Sequence, residues 1–278
     1  MAAISLSAMS ALKIVSWNIN SVRLRAPNVA RFVETHAPDI VCLQETKCRD
    51  GEFPSRAFEE MGLPHLLVNG QGGGHHGVAI ASRLPLEPLG VPDLCREGHA
   101  RIIGARVAGL ELHNIYLPAG GDVPDPGANE KFAHKLDFLD AMGREYAALK
   151  EREGPPRVIL GDLNVAPHEN DVWSHRQMLK VVSHTPVETD ALEAARKAGG
   201  FTDIARELHD DEQKLYTWWS YRARDWAASN RGRRLDHIWA DTRAAPLVDP
   251  QSYAIHIAYR GGWKPSDHAP VSVTLRAG

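Results

Sequence analysis

In Val158-Ile159-Leu160-Gly161-Asp162-Leu163-Asn164 an apolar run stops at a glycine and is followed by two polar side chains two residues apart. A short apolar run bounded by such punctuation reads as a buried strand. The Asp162-x-Asn164 spacing places both side chains on one side of an extended segment. The same form recurs elsewhere. Val15-Ser16-Trp17-Asn18-Ile19-Asn20 ends in amides, and Ile40-Val41-Cys42-Leu43-Gln44-Glu45-Thr46 in an amide and a carboxylate. Lys264-Pro265-Ser266-Asp267-His268-Ala269-Pro270 carries a carboxylate beside an imidazole. Catalytic groups in open α/β sheets gather at strand ends. Four such ends, if they converge, give carboxylates, amides and one imidazole, a set that suits a hard cation such as Mg²⁺. Singly, each piece is ordinary: a Glu after a strand is usually a cap or a surface charge. The joint occurrence carries the reading.

Working outward, further strands are expected at 12–16, 78–81, 102–107, 110–116, 238–240 and 271–275. Helical spacing of apolar residues appears over 25–35, 129–153 and 186–198. Thr185 is a plausible N-cap for the last of these, and Gly199-Gly200 closes it. The 78–116 stretch reads as consecutive antiparallel strands. Mixed strands and helices without a strict alternation point to one α/β domain, mixed sheets covered by helices, over residues 12–278, with residues 1–11 as a tail. Met9 is an alternative start.

The chain has 278 residues, 43% hydrophobic and 24% charged, as expected of a globular protein able to bury a large core. Its three cysteines, Cys42, Cys48 and Cys95, make neither a disulfide framework nor a paired zinc motif, so a reducing cytoplasm is expected. No membrane span is expected. The formal net charge of −3 argues mildly against a nucleic-acid partner. That total hides a window, 214–234, with six basic residues against Asp225 alone, hence +5. Trp218, Trp219 and Trp226 are interleaved with its arginines. Such a mixture suits contact with a duplex backbone and wedging between bases. Arg23 and Arg25 form a weaker basic cluster. The 72–77 loop, Gly72-Gly73-Gly74-His75-His76-Gly77, lacks a phosphate-loop Lys. Its two histidines find no metal-binding partner at helical spacing, so a loop is expected rather than a zinc site.

The segments Trp17-Asn18-Ile19-Asn20, Leu43-Gln44-Glu45-Thr46-Lys47, Gly161-Asp162-Leu163-Asn164, Arg234-Leu235-Asp236-His237 and Pro265-Ser266-Asp267-His268-Ala269-Pro270 together resemble the motifs of the exonuclease III family. That family contains abasic-site endonucleases and belongs to the endonuclease/exonuclease/phosphatase superfamily. The motifs stand in family order and span nearly the whole chain. The resemblance implies a four-layer α/β sandwich, two mixed β-sheets packed face to face with helices on the outside. It also implies Mg²⁺-dependent hydrolysis of DNA phosphodiesters 5′ to abasic sites, with Mn²⁺ as a substitute, and 3′–5′ exonuclease and 3′-end-cleaning activity. The implied partner is double-stranded DNA with abasic sites or 3′ ends, acted on by a monomer.

Residue by residue, the resemblance implies that Glu45 is the principal metal carboxylate, with Asn18 and Asp267 beside it. Asp162 would orient or deprotonate water with Asn164 as partner, and both are further metal candidates. Asp236 and His268 match a dyad, and Tyr116 a phosphate contact whose bland alternative is a core tyrosine with its hydroxyl in water. Arg101 matches a basic residue near the site, or else is a solvated strand-start arginine. Trp218 would line a pocket for a base-free sugar, with Arg222, Arg231 and Arg233 on DNA. Ala119 and His76 depart from the family's usual amide and aromatic at those positions. Two alternatives are a superfamily phosphoesterase on another substrate and a catalytically silent DNA-binding module.

Overall fold

The structure, a computed structural model, describes residues 11–276. Its strands are β1 (Ala11–Asn18), β2 (Ile40–Gln44), β3 (His65–Asn69), β4 (Val78–Ser82), β5 (Glu87–Leu89), β6 (Ile102–Val107) and β7 (Leu110–Tyr116). They continue as β8 (Arg157–Asp162), β9 (Thr202–Asp203), β10 (Trp218–Trp219), β11 (Gly232–Arg233), β12 (Asp236–Ala240), β13 (Ala254–Ile255) and β14 (Val271–Arg276). Two six-stranded sheets result, ordered β13-β14-β1-β2-β4-β3 and β5-β6-β7-β8-β12-β9, beside a small β10-β11 ribbon. Each large sheet has one parallel pair, β1 with β2 and β7 with β8, among antiparallel neighbours. Parallel neighbours need a crossover. Helix α1 (Val22–His36) supplies the first; a short α2 (Ser55–Glu60) follows in the first half, and α3 (Glu130–Lys150) supplies the second crossover. Four further helices are α4 (His175–Met178), α5 (Pro186–Ala198), α6 (Ile204–Leu208) and α7 (Trp226–Ser229).

Period-two alternation builds the layers. One face of the strands, including Leu12, Ile14, Ile40, Leu112, Leu160 and Val273, forms a core between the sheets. The opposite face of the first sheet, with Val15, Trp17, Val41 and Leu43, packs on Val29, Phe32 and Val33 of α1. The opposite face of the second, with Ile115 and Ile159, packs on Phe138, Met142 and Tyr146 of α3 and Leu192 of α5. Helix, sheet, sheet, helix is the four-layer sandwich that the sequence resemblance implies.

Helix α5 falls on the expected residues. The Thr185 amide donates to Glu188 Oε2 at 3.2 Å in a capping box, and its hydroxyl donates to the same oxygen at 2.6 Å. Two expectations change. The stretch 78–116 is not one antiparallel run: β4 pairs with β2 and β3, whereas β5, β6 and β7 form a meander in the other sheet. Apolar runs carry no label for the sheet they join, and the 83–101 connection crosses between layers. The tail expected over 1–11 lies outside the described residues apart from Ala11, which opens β1 opposite Arg276.

Candidate active site

Strand register brings the polar ends level. Tyr116 lies opposite Asp162 across β7 and β8, and Asp162 opposite Asp236 across β8 and β12. In the facing sheet Asn18 is opposite Gln44, the residue before Glu45. Gly161 makes the β7–β8 approach possible. Its φ is +141°, and a Cβ there would sit 1.8 Å from the Ile115 carbonyl oxygen. Asn20, Glu45, Lys47 and Asn164 all have left-handed backbone, with φ between 47° and 54°. Non-glycine residues rarely hold that conformation, and it clusters where the surrounding structure fixes a side chain for use.

Asn18 is fully buried and joins the two halves. Its Nδ2 donates to Glu45 Oε1 at 2.8 Å and to Asp162 Oδ2 at 2.9 Å. Tyr116 donates its hydroxyl to Glu45 Oε1 at 2.9 Å, and the Lys47 ammonium lies 2.8 Å from Oε2. Burial alone would raise the Glu45 pKa, but Lys47 and the hydrogen bonds from Lys47 and Asn18 outweigh it and hold the carboxyl below its ordinary value. Burial and the facing carboxylates push the Tyr116 phenol well up, so it stays a donor. Asn164 donates to Asp162 Oδ2 at 3.2 Å through its side chain and to Oδ1 at 3.0 Å through its backbone.

His268 Nδ1 is 2.8 Å from Asp236 Oδ2, and Nε2 is 3.7 Å from Asp162 Oδ2. All three groups are buried. Burial opposes a charged imidazole, but the two carboxylates, Asp236 foremost, overcome it and raise the His268 pKa. Burial raises that of Asp162, with His268 pulling the other way. The arrangement is an imidazolium held between carboxylates. Thr217 Oγ1 accepts from the Asp236 amide at 3.1 Å, and Ser266 Oγ donates to the Asn18 carbonyl at 2.6 Å, fixing both ends of the dyad segment.

A divalent cation fits this donor set. Glu45 and Asp162 share one amide donor, so two carboxylates lie to either side of a single NH₂ group. Oxygen acceptors of this kind suit a hard ion, and a protonated His268 is a donor, not a ligand.

The other expected residues divide. Asp267 faces Asn20 and Trp218, not Glu45: Oδ1 accepts from Asn20 Nδ2 at 2.9 Å and Oδ2 from Trp218 Nε1 at 3.0 Å. Trp219 is core, 2% exposed, whereas Trp218 is half-buried beside His268, to which it is bridged. Arg101 is not a solvated arginine. It is buried 5.0 Å over the Tyr116 ring and donates to the Tyr116 carbonyl at 3.3 Å, which positions that tyrosine. Tyr116 does not hold its hydroxyl in bulk water. Arg222 and Arg231 are exposed, and Arg231 stacks 4.6 Å over Trp173. Arg233 lies 5.0 Å over Trp218 and donates to Ser183 Oγ at 2.9 Å. Arg25 is buried, donating to the Lys264 carbonyl and Tyr221, and Arg23 faces Glu52, so that pair is not a free phosphate cluster. Arg234 is fully buried against Asp171 and Asp203, which takes it out of the basic surface and leaves the 214–234 window at +4.

Two residues that the sequence reading left without a role belong here. Lys47 donates to Asn20 Oδ1 at 2.6 Å, so Glu45, Lys47, Asn20, Asp267 and Trp218 form one continuous chain of polar contacts. The signal available was position: each stands two residues beyond a motif residue, Asn18 or Glu45.

The model of the Endonuclease/Exonuclease/phosphatase family matches residues 15–268. Exodeoxyribonuclease III of Haemophilus influenzae is 30% identical over 94% of this chain and 98% of its own. An AP endonuclease from Archaeoglobus fulgidus superposes with a TM-score of 0.85 at 30% identity, covering 95% of this chain and 99% of that one. A 3′ phosphatase from Neisseria, solved bound to product DNA hairpin, gives 0.85 at 31% identity, over 95% and 99%. With Asn18, Glu45, Asp162, Asp236 and His268 brought together by strand ends from both sheets, this chain is a hydrolytic nuclease enzyme that belongs to the endonuclease/exonuclease/phosphatase family, on its exonuclease III branch.

Proposed function

We propose that this nuclease hydrolyses the phosphodiester 5′ to abasic sites in duplex DNA in an Mg²⁺-dependent reaction, with 3′–5′ exonuclease and 3′-end-cleaning activity. The observation that carries the reading is the row Asp236–His268–Asp162, tied to Glu45 through the single Asn18 amide. Glu45 and Asp162 would hold the ion, with Asn18 and Asn164 beside them and Asp267 linked to the site through Asn20 and Lys47, and Mn²⁺ would serve in its place. An ion held by these residues would supply positive charge against the charge that develops on the phosphate.

The chain's own groups do the rest. Asp162, buried and raised in pKa, orients water and accepts its proton as the oxygen attacks phosphorus. Asn164 keeps that carboxylate turned toward the cleft. His268, kept protonated by Asp236, donates toward a non-bridging phosphate oxygen as its charge develops. Tyr116, neutral and steadied by Arg101, offers a second donor. Trp218, fixed by Asp267, forms one wall for an extrahelical sugar without a base. Arg222, Arg231 and Arg233 lie on the side where the duplex backbone would pass. The relatives support each activity in turn: an exodeoxyribonuclease III, an AP endonuclease and a 3′ phosphatase.

Cleavage and binding measured in parallel, with Mg²⁺ and with EDTA, test the reading. Cleavage lost in EDTA with binding retained is expected, and Glu45→Gln should demand more Mg²⁺. Binding without cleavage under any metal would mean a silent DNA-binding module. Cleavage of small phosphoesters but not of DNA would mean a different phosphoesterase.

A further inference from the structure

Glu97, His99 and His134 meet on the flank of the second sheet, apart from the residues assigned to the catalytic cation. Glu97 and His99 lie in the connection before β6, and His134 is buried on α3. Glu97 Oε2 is 3.2 Å from His99 Nδ1 and 3.4 Å from His134 Nδ1, and all three ligand atoms lie within 4.8 Å of one another. On a tetrahedral ion with bonds of about 2.0–2.1 Å, neighbouring donor atoms sit about 3.3–3.4 Å apart. The 3.4 Å separation falls within that spacing and the 3.2 Å one lies just under it.

A second observation points the same way. His99 Nδ1 is buried and has no hydrogen-bond partner, although it faces a carboxylate. A buried nitrogen left in that state is uncommon and calls for a ligand. The rings are held as metal-bound rings are held. The other nitrogen of His134, Nε2, is 3.4 Å from Cys95 Sγ, and His99 stacks on His76 at 4.3 Å. A partner on the second nitrogen fixes the tautomer and aims the first. His76 itself supports rather than ligates, since its Nδ1 faces Gln71 Oε1 at 3.1 Å.

We propose that Glu97, His99 and His134 bind a borderline divalent transition metal of the Zn²⁺ type, leaving one coordination position open, at a site separate from that of the catalytic cation. Two imidazoles and a carboxylate favour such an ion over Mg²⁺. The assignment does not depend on which DNA lesion the enzyme cuts.

Titration of the full chain with Co²⁺ in excess Mg²⁺, read by visible absorption, tests it. One equivalent should give the intense spectrum of four-coordinate Co²⁺ and be displaced by Zn²⁺. His99→Gln and Glu97→Gln, both in a loop, should weaken binding roughly tenfold or more while melting unchanged in EDTA. Glu45→Gln should leave the spectrum intact. The proposal is overturned if no four-coordinate spectrum forms. It is also overturned if the spectrum survives both loop substitutions unchanged, or if Glu45→Gln abolishes it.

Discussion

Asn18 carries no charge, yet the site depends on it, because one amide spans Glu45 and Asp162 and holds two carboxylates at a common distance from the cleft. In the proposed reaction Asp162 has the most specific role, and Asp162→Asn would keep its shape while removing the proposed proton acceptor. Turnover on abasic duplex should fall by about 10²–10⁴ with DNA affinity close to wild type; single-turnover cleavage beside a binding titration checks this. Trp218→Ala should relax the preference for abasic sites more than it slows the exonuclease, as read from the ratio of the two rates. An equal loss in both would remove Trp218 from the lesion wall. At this scale the sequence was informative where chemistry and position coincide, as at Glu45, Asp162, Asp236 and His268. It was silent on Lys47, Asn20 and the buried placement of Arg101 and Arg25, because those depend on contacts between segments distant in the chain.

Among the elements, β8 is the most constrained. It is buried along its whole length, pairs in parallel with β7 and antiparallel with β12, and ends in Asp162. Gly161→Ala would drive a Cβ into the Ile115 carbonyl. The pair must part, so a loss of about 3 kcal/mol or more in thermal or urea unfolding is expected. Arg234, just before β12, is the second anchor. It makes forked contacts with Asp171, at 2.8 Å twice, and with Asp203, at 3.0 and 2.7 Å. Burial would raise both carboxyls, but Arg234 outweighs it and holds them below the ordinary range. A depressed folded pKa means stability present above the unfolded value and lost as pH falls through the folded one. Melting temperature should therefore drop as pH is lowered through and below about 4. Arg234→Met should lose about 3–5 kcal/mol at neutral pH, with two carboxylates left unpaired. Strand β3, five half-buried residues with no apolar alternation, was not expected from sequence, and neither were β5, β9, β10, β11 and β13. Each of these last five is only two or three residues long, too short for alternation to register, and each exists through its neighbours.

Over the whole molecule, charge is distributed by function rather than balanced. The proposed function puts acidic residues to use at a cation, and Trp218 of the basic window stands beside His268, so a total of −3 says little about DNA. Exposure refines that window, since Arg234 is internal and Arg233 is stacked on Trp218. Affinity for duplex should fall with added salt. Arg222→Ala or Arg231→Ala should each flatten the log–log slope by at most about 1, with little change in lesion preference. The sandwich itself was legible because the motif residues sit at strand ends in family order. The crossing of 83–101 between sheets was not, because strand runs alike in composition do not record which layer they enter. Among the described residues no helix is long and apolar enough to cross a membrane. The central claim is that the cleft between the sheets cuts DNA at missing bases. Its most direct test is incubation with duplex DNA carrying one abasic analogue, with and without Mg²⁺, and identification of the product ends. A single Mg²⁺-dependent incision 5′ to the analogue, leaving a 3′-hydroxyl, is expected; an intact strand, or incision on its 3′ side, would contradict the account.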